Sequence, residues 1–303
     1  MRIRSYSEAT ARQRIDGIVD EGSFVEFLPP SARVISPHLS AFDLPAAFDD
    51  GVVVGGAALG GRAVLVASQE GAFMGGSIGE VHGAKVVGLL RRALAERPAG
   101  VLLFVESGGV RLQEANAGLI AVSEIIRAIL AARAAGIAVI ASIGGAFGCF
   151  GGMGIAAACC DAIVMSEEGR LGLSGPEVIE TARGVEEFDS RDRALVWRTV
   201  GGKHRFLLGD CARLVDGQLP DFRAALCAAI DDVSPLTLES VERDQATLER
   251  RLAAFGEMGD GLDVWRSLGW PTPGDIPLMP TDVFVAEAVS RAKRRASGAE
   301  AAR

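Results

Sequence analysis

Two stretches of the 303-residue chain set paired glycines between an apolar run and a helical pattern. One is "FVESGGVRLQEA" (104–115), which carries Gly108 and Gly109. The other is "GGAFGCFGGMG" (144–154), which follows "IAVIASI" and leads into "IAAACCD". Glycine costs backbone entropy, so its use at both places points to close packing or to a molecule held against bare N–H groups. A helix N-terminus offers unpaired N–H donors and a partial positive charge. Two such ends can cradle an anion, or a charge that forms only during a reaction.

Other chemistries fit the residues less well. A P-loop requires Gly-x-x-x-x-Gly-Lys-Ser/Thr, and "GGKHR" (201–205) lacks the hydroxyl residue. Gly152, Gly154 and Ala157 match Gly-x-Gly-x-x-Ala, but that fingerprint should begin directly after a strand, and several residues intervene after Ile143. The five cysteines, Cys149, Cys159, Cys160, Cys211 and Cys227, form no CxxC pair and suggest neither a zinc ribbon nor a disulfide framework. Cys149 lies inside the second glycine stretch with no evident base beside it, so it reads as a small buried residue. His38, His82 and His204 are the only histidines, and each reads as structural or solvated. Glu106 stands beside Gly108 as a loop-orienting or capping group. "LSGPEVIE" (173–180) puts Pro176 where a first helical turn begins.

The elements that must position these loops alternate along the chain. "ATARQRIDGIVDEGSFVEF" predicts an amphipathic helix and a short extended piece. "DDGVVVGGAALGGRAVLVASQ" predicts two strands joined by a Gly-Gly turn. "GEVHGAKVVGLLRRALAERPAG" and "RLQEANAGLIAVSEIIRAILAARAAG" have helical periodicity and end at glycine. "VLLFV", "IAVIASI" and "DAIVMSE" predict buried strands. Strand, glycine loop and helix repeat, which is an α/β pattern. After about Pro235 the chain turns charged and helical. This predicts one α/β unit over 1–235 and a helical C-terminal extension over 236–303, packed on the same domain.

Composition narrows the function class. The chain is 49% hydrophobic and 23% charged, which suits a large core. Its 31 Lys and Arg against 39 Asp and Glu leave a net charge of −8, which a nucleic-acid phosphate surface would repel. The one basic cluster, "RAKRR" (291–295), reads as a solvated helix end. The opening residues lack a signal-peptide core, and no charge-free apolar run approaches ~18 residues. A cytoplasmic protein without a membrane span is expected.

Several motifs occur together and in order: "RIDGIVDEGSFVEF", "QEGAFMGGSIGEVHGAKVVGLL", "ESGGVRLQEA", "GGAFGCFGGMGIAAACCDAIVMSEEGRLGLSGPEVIE" and "GGKHRFLLGD". On these the chain resembles the acyl-CoA carboxyltransferase branch of the crotonase superfamily. "MGGSIGEVHGAK", "GGVRLQEANAGLIAVSE" and "GVEEFDSRDRALVWRTVGGKHR" resemble, within that branch, the beta subunits of biotin-independent malonate decarboxylases.

The resemblance implies a spiral of ββα units around a thioester pocket. It implies a carboxy-lyase that decarboxylates a malonyl thioester, with a biotin-dependent acyl-CoA carboxyltransferase subunit as the alternative and a noncatalytic carrier-binding scaffold as a third reading. It implies a gamma subunit that completes the pocket. It also implies an acyl-carrier subunit bearing a phosphoribosyl-dephospho-CoA arm, without biotin and without a metal. By likeness to crotonase-type oxyanion holes, one donor falls at Gly108 or Gly109 and the other at Gly151 or Gly152. Gly144 and Gly145 read as packing and turn residues. The thiol arm is expected to lie against Gly75, Gly76, Ser77, Gly145, Gly175 and Pro176.

Overall fold

The computed structural model describes residues 4–44 and 48–301. Among them, the strands of one sheet lie side by side in sequence order: β1 (Val25–Glu26), β2 (Val52–Leu59), β3 (Arg62–Gln69), β4 (Gly100–Val105), β5 (Ala138–Ile143), β6 (Ala162–Ser166) and β7 (Arg213–Val215). The first three run antiparallel, and β3 to β7 run parallel. The β2–β3 hairpin turns at Gly60 and Gly61, with φ of +59° and +75°, the left-handed pair that a tight hairpin needs. The helices are α1 (Ala11–Ile18), α2 (Pro37–Ser40), α3 (Glu80–Glu96), α4 (Ala117–Ala134), α5 (Gly152–Ala158), α6 (Pro176–Arg183), α7 (Arg193–Val200), α8 (Gly202–Leu208), α9 (Leu219–Asp231), α10 (Leu238–Phe255), α11 (Gly261–Ser267) and α12 (Thr281–Ala301).

Period-two alternation sorts the strand residues onto two cores. Val101, Leu103 and Val105 of β4 join Val139, Ala141 and Ile143 of β5 in the core that also takes up α3, α4 and α5. Leu102, Phe104, Ala138 and Ile140 point to the other face, where α1 and α9 supply Ile15, Ile18, Phe222 and Leu226. Both faces are covered, so β4 and β5 read as unbroken apolar runs.

After β4, β5 and β6 the chain pairs a second time before each helix. Ser107 bridges Cys149, Cys149 bridges Leu171, and Ile78 bridges Val110. These bridges sit at the carboxyl ends of the parallel strands, so both glycine loops are held as backbone ladders. They also explain where α4 departs from expectation. Its helical pattern begins at Arg111, but the helix begins at Ala117. Arg111 and Glu114 are instead drawn into buried ion pairs, and a 3₁₀ turn fills the gap over Leu112–Glu114.

The C-terminal helices attach through polar contacts as well as apolar ones. Lys203 of α8 donates to the carbonyls of Ile276 (3.0 Å) and Met279 (2.7 Å). Trp265 of α11 donates its indole N–H to His204 Nδ1 at 3.0 Å. Trp270 and Phe284 complete the first core. α10 buries no residue and is tied to the body by the Arg251–Asp210 ion pair at 2.5 Å. No helix among the described residues is long and apolar enough to cross a membrane.

Candidate active site

The two glycine loops meet. A Cβ built on Gly151 would lie 3.1 Å from the Gly109 Cα, tighter than an ordinary side-chain contact. Gly109 has φ +134° and Gly151 has φ +61°, both in the region that favours glycine. A Cβ on Gly109 would meet nothing within 4 Å, so that side of the loop faces open space.

Hydrogen bonds decide which N–H groups remain available. Gly108 N–H donates to the Gly75 carbonyl at 2.8 Å, and Gly151 N–H to the Leu173 carbonyl at 2.9 Å. These two candidates are therefore engaged in holding the loops together. Gly109 N–H makes a longer bond, 3.3 Å, to Ser107 Oγ. Among the described residues no hydrogen bond takes the N–H of Val110, Gly152 or Met153. The Gly109 carbonyl accepts from Ile78 N–H at 2.9 Å. A trans peptide then turns the Val110 N–H the opposite way, away from that strand. The geometry leaves Val110 from the first loop, and Gly152 with Met153 at the start of α5, as donors without partners among the described residues. Val110 is not among the sequence candidates: the paired glycines do not mark it, and only the distant Ile78 N–H, by holding the Gly109 carbonyl, turns its N–H free.

The expected arm-binding residues divide. Gly75 contacts the first loop through its carbonyl. A Cβ on Gly76 would strike the Glu106 carbonyl at 1.8 Å, and one on Gly145 would strike the Glu106 carboxylate at 2.4 Å, so both face protein. Ser77 Oγ donates to the Met74 carbonyl at 2.7 Å. Gly175 is the N-cap of α6, Pro176 its first residue, and Pro176 is buried. Gly175 lies beside Phe150, next to the second loop. The first four are thus packed around Glu106 and the first loop, while Gly175 and Pro176 stand by the second.

Glu106 is engaged on both sides. It is 3% exposed and pairs with the buried Arg14 at 2.5 Å. Its Oε1 accepts from Phe147 N–H at 3.2 Å, which anchors the second loop to the first. Cys149 is fully buried, and burial pushes its thiol far above the usual range. The histidines stand elsewhere. His38 is exposed and pairs with Glu80 at 3.0 Å. Burial, then the nearby Arg111, depresses His82 well below the usual imidazole value. Burial, then Arg205, lowers His204 to about 4. No cluster of metal-ligating side chains occurs among the described residues.

Large apolar side chains stand exposed on the segments that frame the cradle. Leu112 is 85% exposed and Leu173, whose carbonyl takes the Gly151 N–H, is 68% exposed. Leu119 and Ile120 on the first turn of α4 and Ile155 on α5 are likewise exposed. A cavity of about 790 Å³ lies between α5 and α10, lined by Ile155, Leu173, Leu248, Arg205 and Arg251.

Comparison with known proteins gives this geometry a context. The carboxyl transferase domain family matches residues 4–199. The chain is 42% identical over 305 residues to the malonyl-S-ACP:biotin-protein carboxyltransferase MADC of Malonomonas rubra, covering 94% of this chain and 96% of that protein. It is 36% identical over 203 residues to the propionyl-CoA carboxylase beta chain of Saccharopolyspora erythraea, where it spans only 36% of the relative's length. Among solved structures it superposes on a chain of a Pseudomonas malonate decarboxylase hetero-tetramer in complex with malonate, with a TM-score of 0.80 and 41% identity, covering 87% of this chain and 97% of that one.

Proposed function

Because the chain belongs to the carboxyl transferase family, with its crotonase-like fold and in its malonate decarboxylase beta-type group, we propose that it decarboxylates a malonyl thioester to an acetyl thioester and CO₂. When the bond to the carboxylate breaks, its electron pair enters an enolate and places negative charge on the thioester oxygen. Donors aimed at that oxygen lower the barrier, each by about 3–4 kcal/mol. The observation that carries this reading is the pair of unengaged N–H groups, Val110 and Gly152, on two loops whose glycines touch. Gly109 and Gly151 keep the cradle bare, and Glu106 with Arg14 holds the loops in register. The enolate carbon then takes a proton to give the acetyl thioester.

The remaining parts are proposed on the same basis. The thioester arrives on a phosphoribosyl-dephospho-CoA arm of a small acyl-carrier subunit, and this chain carries neither biotin nor a metal. A gamma subunit covers the exposed Leu112, Leu119, Ile120 and Leu173. The Pseudomonas relative is a hetero-tetramer, and the propionyl-CoA carboxylase chain is much longer, so those relatives carry what one chain here does not. The chain alone is expected to be inactive or weakly active.

The biotin-dependent reading is favoured by one observation: the Malonomonas relative passes its carboxyl to a biotin protein. Assembly with the gamma subunit and a malonyl-carrier separates the two. Decarboxylation predicts CO₂ release that avidin leaves unchanged. Avidin-sensitive release, with label appearing on biotin, would replace the decarboxylase reading with carboxyl transfer.

A further inference from the structure

Arg111 stands two residues beyond Gly109, and its guanidinium is fully buried. Nη1 meets both carboxylate oxygens of Asp50 at 2.9 Å and Glu114 Oε1 at 3.1 Å. Nη2 donates to the Asp50 carbonyl at 2.7 Å, and Nε to the Ser77 carbonyl at 3.1 Å. The side chains of Asp50 and Glu114 are likewise fully buried. One cation thus faces two carboxylates, and backbone N–H groups share the remaining negative charge. His82 N–H donates to Asp50 at 2.9 Å, Ser36 N–H to Asp50 at 3.4 Å and Glu80 N–H to Glu114 at 2.5 Å. The cluster joins four separate segments: the N-cap of α2, the turn before β2, the start of α3 and the first glycine loop.

We infer that Arg111 is a positioning residue: its guanidinium, clamped between Asp50, Glu114 and the Ser77 carbonyl, sets the direction of the Val110 N–H. Val110 lies between two fixed points. On one side the Gly109 carbonyl is held by Ile78 N–H; on the other, Arg111 N–H donates to the Ile78 carbonyl at 2.9 Å. The Arg111 side chain reaches back to the same strand segment at Ser77, so backbone and side chain grip residues 77–78 together. A buried ion cluster stabilises a fold little compared with apolar packing of equal volume. What it does supply is geometry, since the planar five-donor fork accepts only one arrangement of partners. Lysine, a point charge, cannot reproduce it. This inference rests on the reading of Val110 as an oxyanion donor. It makes "GGSIGE" a strut for the cradle rather than a ligand contact.

The test uses Arg111→Lys and Asp50→Asn in the full chain, with two readouts. Amide hydrogen exchange of the folded variants should show the Ile78 and Arg111 N–H groups, whose bonds to the Gly109 and Ile78 carbonyls fix the Val110 peptide, exchanging at least about tenfold faster, with the β4 and β5 amides at parental rates. In the complex with its partner, kcat should fall by about 10², the scale of a donor displaced by roughly an ångström, with KM changed by less than about twofold. A folded variant with parental exchange at Ile78 and Arg111 and parental kcat overturns the inference, whatever its melting temperature. If Asp50→Asn does not fold, Glu114→Gln should move both readouts in the same direction by less, and parental values there overturn it equally. A parent complex that releases no CO₂ from malonyl thioester defeats the decarboxylase reading instead, while the exchange contrast still decides whether Arg111 sets the Val110 amide.

Discussion

Gly109 and Gly151 approach so closely that a single added methyl on Gly151 would lie 3.1 Å from the Gly109 backbone. The two loops come from strands that are neighbours in the sheet, β4 and β5, and the Ser107–Cys149 bridge extends that pairing beyond the strand ends. The two loops therefore continue the order of the sheet beyond the ends of its strands.

Gly109→Ala should remove turnover without emptying the fold. The new methyl would enter the open side of the loop, where the thioester is proposed to lie, at a φ of +134°. The strain should cost about 1–3 kcal/mol of stability. kcat for CO₂ release should fall by about 10² or more, on the scale of a lost oxyanion donor. Gly152→Val is a poorer probe, because its Cβ would already crowd Val122 at 2.7 Å. Steady-state kinetics on assembled complex, with urea unfolding alongside, checks the prediction; parental turnover would remove Gly109 from the cradle.

Cys149→Ala should leave turnover within a few-fold of the parent. A nucleophile would lose on the order of 10⁴-fold or more. The thiol is buried and its ionisation is suppressed by that burial, so it packs and does not attack. Loss of turnover in a folded, assembled Cys149→Ala complex would argue for a covalent step.

Stability should fall as pH drops from about 6.5 toward 4. His204 is held neutral in the folded chain with its pKa lowered to about 4, while the unfolded chain protonates near 6.5. Between these values the unfolded state binds the extra proton, so folding loses up to about 3 kcal/mol by pH 4 and nothing further from this group below it. His82, also depressed, acts with the same sign. Urea unfolding at pH 7, 6 and 5 should show a shallower decline for His204→Gln than for the parent. Identical slopes would show that His204 does not carry the effect.

Lys203→Met should loosen the C-terminal segment. The ammonium holds the carbonyls of Ile276, Pro277 and Met279 and the carboxylate of Glu167, and its loss leaves the three carbonyls without this donor. A cost of about 3 kcal/mol is expected. If residues 236–303 form an extension packed on a unit of 1–235, limited proteolysis of the variant should cut first near 268–280 and leave the remainder folded. A cleavage pattern and stability equal to the parent would count against that division.

Much of the fold was legible because it rests on local chemistry. The unbroken apolar runs "VLLFV" and "IAVIASI", the Gly60–Gly61 turn, and glycine or proline at helix ends act over a few residues, and the chain states them directly. The ordered motifs likewise placed the chain in its family. The two glycine loops could be picked out as sites for a charge, since few other needs justify bare backbone between a strand and a helix.

Which N–H of each loop stays free could not be read in this way. That depends on the Gly75 and Leu173 carbonyls, 33 and 22 residues away from the groups they engage, and on the Ile78 strand that turns the Gly109–Val110 peptide. Nor could Arg111, Asp50 and Glu114 be read as a buried cluster. A charged residue in a loop belongs in water by default, and only a partner 61 residues off, brought in by the packing of the turn before β2 against the first loop, reverses that. The residue types and their order along the chain set two glycine-rich backbones between strands and helices; the packing of distant segments fixes which of their N–H groups are taken, because the Gly108 and Gly151 N–H groups are drawn to the Gly75 and Leu173 carbonyls while those of Val110 and Gly152 are not.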